Sequence, residues 1–135
     1  MISQAHSRLG ELAAAERIAR ECVALAESAD DPALLSEACM RLGTTLLETR
    51  PAEAVGYYTR ALESYSEAGD RYGQARCYIN TGVAHARAGD GRAAEKAYVI
   101  ALELSREAHA PDMAGLAALN LGVWYLSGGR FDDAA

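Results

Sequence analysis

The chain repeats itself at a spacing near forty residues, and that period limits its fold more than any other feature. Arg41-Leu42-Gly43, Asn80-Thr81-Gly82 and Asn120-Leu121-Gly122 place glycines 39 and then 40 residues apart. Tyr58-Thr59-Arg60-Ala61-Leu62-Glu63 returns as Tyr98-Val99-Ile100-Ala101-Leu102-Glu103, again 40 apart. A third register runs Ala15, Ala54, Ala94, Ala134, at spacings of 39, 40 and 40. Three agreeing registers define an array of stacked units, each covering the apolar face of its neighbour.

Each unit reads as two helices. From Arg71 to Ala88, the residues Tyr72, Ala75, Tyr78, Ile79, Gly82, His85 and Ala86 recur at three- and four-residue steps and form one stripe. Gly89-Asp90-Gly91 interrupts the pattern, and Ala94, Ala97, Tyr98, Ala101, Leu104 and Ala108 then form a second stripe that Ala110-Pro111 ends. Asp31 and Asp70 stand where a carboxylate caps a first helical turn, and Pro32 and Pro111 suit a first turn, where the missing N–H costs nothing. Ala110 fills the third cap position, so an aspartate there is expected to add about 1 kcal/mol. Gly69 and Gly89 suit the left-handed residue that closes a helix. No alternating β-branched run bounded by turns occurs, so the expectation is all-α.

The Leu42-Gly43, Thr81-Gly82 and Leu121-Gly122 pairs resemble the first-helix signature of the tetratricopeptide repeat family. In the aromatic position three residues later stand Leu46, His85 and Tyr125. The second-helix signature is matched by Ala54–Tyr58–Ala61 and Ala94–Tyr98–Ala101, with Ala15–Ala19–Cys22 as a weaker copy. The period of 39–40 is similar to the long-helix variety found in bacterial signalling and transcriptional regulators. Ser66 and Arg106 replace the proline that usually closes the second helix, so those helices should run a turn further. The resemblance implies an α-solenoid of antiparallel helix pairs wound as a right-handed superhelix. It divides the chain into a partial first repeat (1–30), full repeats at 31–69 and 70–109, and a partial fourth repeat (110–135). In this register Gly10 matches Gly89, so Met1 to Leu9 are expected to end one helix, and Phe131 to Ala135 to open another.

Function classes follow by elimination and by resemblance. Half of the 135 residues are hydrophobic, which excludes a disordered chain, and the net charge of −6 argues against nucleic acid. No apolar run approaches the roughly 18 residues of a membrane span, and Met1 to His6 do not resemble a signal peptide. Cys22, Cys39 and Cys77 have neither metal-ligand nor disulfide spacing, and are expected as free core thiols in a reducing cytoplasm. His85 fills a packing position, His6 is its counterpart, and His109 ends a helix, so no catalytic constellation, cofactor or metal site is expected. Gly89-Asp90-Gly91 and Gly128-Gly129-Arg130 read as turns because neither carries the Lys-Ser/Thr of a phosphate loop. Most of the seven tyrosines fall on packing stripes, whereas Trp124 is expected to be more exposed.

The resemblance implies a protein-binding module whose first helices line a concave groove. The groove residues expected from the repeat positions are Arg41, Thr44, Arg76, Asn80, Val83, Arg87, Asn120 and Val123, with Met40 and Ile79 as further apolar contacts. Asn80 and Asn120 either form an amide ladder that grips a peptide backbone or bond to a neighbouring helix or water. Three arginines favour an acidic segment despite the acidic total, because local field steers a ligand into a cleft. The positions where family members that clamp chaperone carboxylates use lysine and asparagine hold Met40 and Thr44, which argues against that activity. The rival reading is self-association, including a homodimer, through the end faces of the array.

Overall fold

A computed structural model describes residues 2–127, with side chains from Arg8 onward. Six helices follow one another: α1 (Ile2–Ala29), α2 (Pro32–Leu46), α3 (Pro51–Glu67), α4 (Arg71–Arg87), α5 (Gly91–Glu107) and α6 (Pro111–Leu126). Each helix packs on the next across a short connection, and α4 also touches α6. Polar bonds continue the two rows: Arg20 of α1 reaches Tyr57 and Glu53 of α3, and Arg76 of α4 reaches Glu37 of α2. The result is an all-α solenoid, with α2, α4 and α6 in one row and α1, α3 and α5 in the other.

The connections explain where the helices stop. Asp31, Asp70 and Asp90 each accept a backbone N–H, from Leu34, Gly73 and Ala93. Each bond supplies a partner to a donor that the first helical turn leaves unpaired. The closing residues Gly69 and Gly89 have φ of 70° and 85°, which glycine adopts without penalty. Asp30 and His109 occupy the position of Gly69 one repeat away in either direction, with φ of 50° and 53°. The sequence reading passes over the break between α2 and α3, where Leu47–Arg50 contains no glycine and Pro51 restarts the helix.

Two expectations about the elements change. Gly10 does not end a helix, because α1 runs unbroken from Ile2 to Ala29. Gly10 is followed by Glu11, whereas Gly89 is followed by the capping Asp90, and the alanines at 13–15 favour continuation. A lone glycine costs an α-helix only about 1 kcal/mol. Ala110 does lack a capping side chain, but it is 8% exposed and packs with Ala75 and Ile79. An aspartate there would lose solvent as well as cap, which offsets the gain expected from sequence. The expected helix at 131–135 and the turn at 128–130 lie outside the described residues.

The packing follows the repeat. The Tyr58 ring lies over Gly43, and the Tyr98 ring over Gly82; a Cβ added to either glycine would sit 2.5 Å from a ring carbon. Glycine thus opens a notch on one helix of the pair, and the next helix fills it with an aromatic ring. Tyr65 repeats the device on Gly73, at the junction of α3 with α4. Trp124, expected to be exposed, is 6% exposed because it packs with Ala94 and Tyr98 on α5. Tyr72, placed on the buried stripe by its spacing, is exposed, and its hydroxyl donates to Asp112.

Candidate functional site

The inner row carries the residues expected to bind a partner. Met40, Arg41, Thr44 and Thr45 of α2 and Arg76 and Asn80 of α4 line one shallow concavity of about 350 Å³. Arg41 and Asn80 are equivalent, each two residues before its repeat glycine. Their polar groups therefore stand one unit apart on neighbouring helices. Among the described residues, the Arg41 guanidinium and the Asn80 amide make no side-chain hydrogen bond, and the Arg41 charge favours the charged form of Glu37.

The other polar groups of the concavity have partners. Thr44 donates to the Met40 carbonyl and shares a hydrogen bond of 3.1 Å with the Tyr58 hydroxyl. Thr45 donates to the Arg41 carbonyl. Arg76 donates to Glu37 at 3.0 Å, and the Tyr65 hydroxyl donates to the same carboxylate oxygen at 2.8 Å. Glu37 therefore holds Arg76 against the wall and lowers the positive field there. The arrangement can offer an incoming segment one cationic donor from Arg41 and one amide from Asn80, which donates and accepts.

The remaining groove residues lie elsewhere. Val83 packs against the cluster of Ala94, Tyr98 and Trp124, and Arg87 lies 4.0 Å from Glu48. Val123 is exposed on α6. Asn120 donates to the Leu116 carbonyl of its own helix, a bond that neither of the two sequence readings named. Ile79 is buried in the core, and Met40 borders the concavity with only 3% of its surface exposed. Their positions face the next unit, and Met40 Sδ lies 3.5 Å from Cys77 Sγ. Glu37 and Arg76 occupy the same repeat position 39 residues apart, and what spacing did not reveal is that Tyr65, from a different position on α3, joins them.

Glu37 has a pKa below its ordinary value of 4.5, because the Tyr65 hydroxyl and then the Arg76 guanidinium favour its charged form. A folded-state pKa below the unfolded one gives stability that is present above pH 4.5 and lost as the pH falls through the folded value. Glu37 is half exposed, so the effect should be modest. The melting midpoint of the unaltered chain should fall more steeply below about pH 4.5 than that of Glu37→Gln. Parallel curves for the two proteins would show that the cluster contributes nothing.

Other chemistry is sparse among the described residues. No three or more His, Cys, Asp or Glu side chains gather in a way that could hold a metal ion. His85 is half-buried on α4, and the side chain of His6 lies outside the described residues. Cys39 and Cys77 are buried, and burial pushes the Cys77 thiol up to about 12. Cys22, expected in the core, is exposed and borders the groove between α1 and α2. Among the described residues, no helix is long and apolar enough to cross a membrane.

Comparison with known proteins agrees with this architecture. No curated protein matches the chain. The tetratricopeptide repeat family model matches residues 1–29. That stretch ends at the last residue of α1, and the two units that follow keep the same helix pairing and the same glycine–tyrosine notch. The chain is therefore similar to the tetratricopeptide repeat family over residues 1–29, and its stacked helix pairs agree with that likeness.

Proposed function

We propose that the array is a non-enzymatic protein-binding module that holds an extended acidic segment in the concavity between α2 and α4. The observation that carries this reading is the pair Arg41 and Asn80, equivalent residues one unit apart that border one concavity and whose side chains make no hydrogen bond among the described residues. An arginine supplies a charged donor fork to a carboxylate, and an amide bonds a peptide backbone without demanding a particular side chain. The long repeat, through its likeness to bacterial regulators, suits an adaptor or sensor arm of a larger cytoplasmic signalling protein.

Selection of a displayed random-peptide library against the 135-residue chain tests the reading. Recovered peptides should be rich in aspartate and glutamate. The double variant Arg41→Ala/Asn80→Ala should bind them more weakly by about 1–3 kcal/mol while keeping its helical circular dichroism. Peptides without acidic bias, or equal binding by the variant, would remove the concavity from consideration.

A further inference from the structure

Ion pairs cross from the α2 unit to α4 at either side of the concavity, and both join identical repeat positions. Glu37 of α2 and Arg76 of α4 are 39 residues apart in the chain, and their side chains meet at 3.0 Å. Glu48, just past the end of α2, and Arg87, the last residue of α4, are again 39 apart and lie 4.0 Å from each other. Between the two crossings stands the pair Arg41 and Asn80, which borders the concavity. Four-residue steps put Arg41 on the same face of α2 as Glu37, and Asn80 on the same face of α4 as Arg76. The inner wall is therefore a short ladder. Its outer rungs each set a carboxylate against a guanidinium, and its middle rung sets a guanidinium beside an amide.

The outer rungs already hold the group that an acidic segment would bring. Arg76 lines the concavity, yet it donates to Glu37, and the Tyr65 hydroxyl anchors the same carboxylate oxygen at 2.8 Å. A carboxylate that approaches Arg76 therefore meets one in place. It must either share the guanidinium with a like charge or displace Glu37, and displacement breaks one ion pair for each one formed. Either way Arg76 adds little to binding. The contact is nevertheless exchangeable, because the Glu37 and Arg76 side chains are 48% and 34% exposed and ion pairs this open to water are weak. Glu48 is more open still, so its hold on Arg87 is the looser of the two.

We propose that Glu37, and more weakly Glu48, are internal competitors of the acidic segment: carboxylates of the chain itself that occupy the arginines on either side of Arg41 and so set the affinity of the concavity. The proposal rests on the reading of that concavity as an acidic-segment site. In the resting molecule Arg41 makes no side-chain hydrogen bond among the described residues, so the middle rung receives the first carboxylate. A segment that is acidic along its length gains most from the outer rungs once the competitors are removed.

Fluorescence anisotropy with a labelled oligoglutamate peptide tests this on the whole chain. Glu37→Gln removes the charge and keeps the shape and hydrogen-bonding capacity of a half-exposed side chain, so the fold should survive, as circular dichroism will show. That variant should bind the peptide about two- to fivefold more tightly, the scale of one exposed ion pair. Glu37→Gln/Glu48→Gln should bind it more tightly again. Glu103→Gln removes the same charge from an exposed position on α5, away from the concavity, and should leave the affinity as it was. If Glu37→Gln binds no better or binds worse while Arg41→Ala/Asn80→Ala weakens binding, the acidic-segment reading stands and the competitor proposal falls, because Glu37 then serves only to position Arg76. If Glu103→Gln tightens binding as much as Glu37→Gln does, the gain belongs to total charge and the proposal falls in the same way. If none of the proteins binds oligoglutamate, the acidic-segment reading falls and takes the proposal with it.

Discussion

Replacing Tyr58 with alanine should lower the free energy of unfolding by about 3–5 kcal/mol, the scale for removing a buried aromatic ring. The side chain has no exposed surface, and it joins three elements at once. Its ring fills the Gly43 notch of α2, and its hydroxyl bonds to Thr44. It also belongs to the cluster that contains Cys77 of α4. Tyr58→Phe keeps the ring and gives up only the hydroxyl bond, so it should cost about 1 kcal/mol. Urea titration of the three proteins separates the two contributions. An alanine variant no less stable than the phenylalanine variant would show that the ring does not join the helices.

The repeat glycines should respond to one substitution with opposite signs. In Gly82→Ala the new Cβ would stand 2.5 Å from a carbon of Tyr98, held on α5 with little room to move. That overpacking should destabilise the array by about 1–3 kcal/mol. Gly122 occupies the same position one unit later, yet no described atom lies near it. Gly122→Ala should therefore stabilise α6 by about 0.5–1 kcal/mol through helix propensity alone. Thermal melts of the two variants at a concentration that keeps the chain monomeric check both signs. If both lose stability, the notch of Gly122 is filled by something in the chain itself.

The architecture was legible because it is written in positions that recur. The Gly43–Tyr58 and Gly82–Tyr98 pairs could be read from spacing, since a glycine on one helix and an aromatic on the next are what close packing requires. The caps at Asp31 and Asp70 were readable for a similar local reason. The continuity of α1 was not. Register placed a turn at Gly10, but a glycine turns the chain only when its surroundings supply a cap and a partner helix. The concavity was half legible. Repeat position identified Arg41, Arg76 and Asn80 and puts Glu37 in the slot of Arg76, but the Tyr65 hydroxyl that joins the Glu37 carboxylate comes from a different helix and a different slot. Asn120 shows the same limit, because an amide two residues before the glycine keeps its sequence position whether it faces a ligand or its own carbonyl.

The notches also decide how the molecule comes apart. Each ring is held by an adjacent helix, so cohesion passes from neighbour to neighbour and no single centre binds all six helices. Heat or denaturant then acts as it would on a zipper and not on a droplet. Among the described residues, α6 packs on α5 and touches α4, whereas α3 lies between α2 and α4, and α4 between α3 and α5. A chain of this kind has a spectrum of partly opened states in place of one unfolding event. Its outermost helices are therefore the parts free to exchange partners while the middle stays intact.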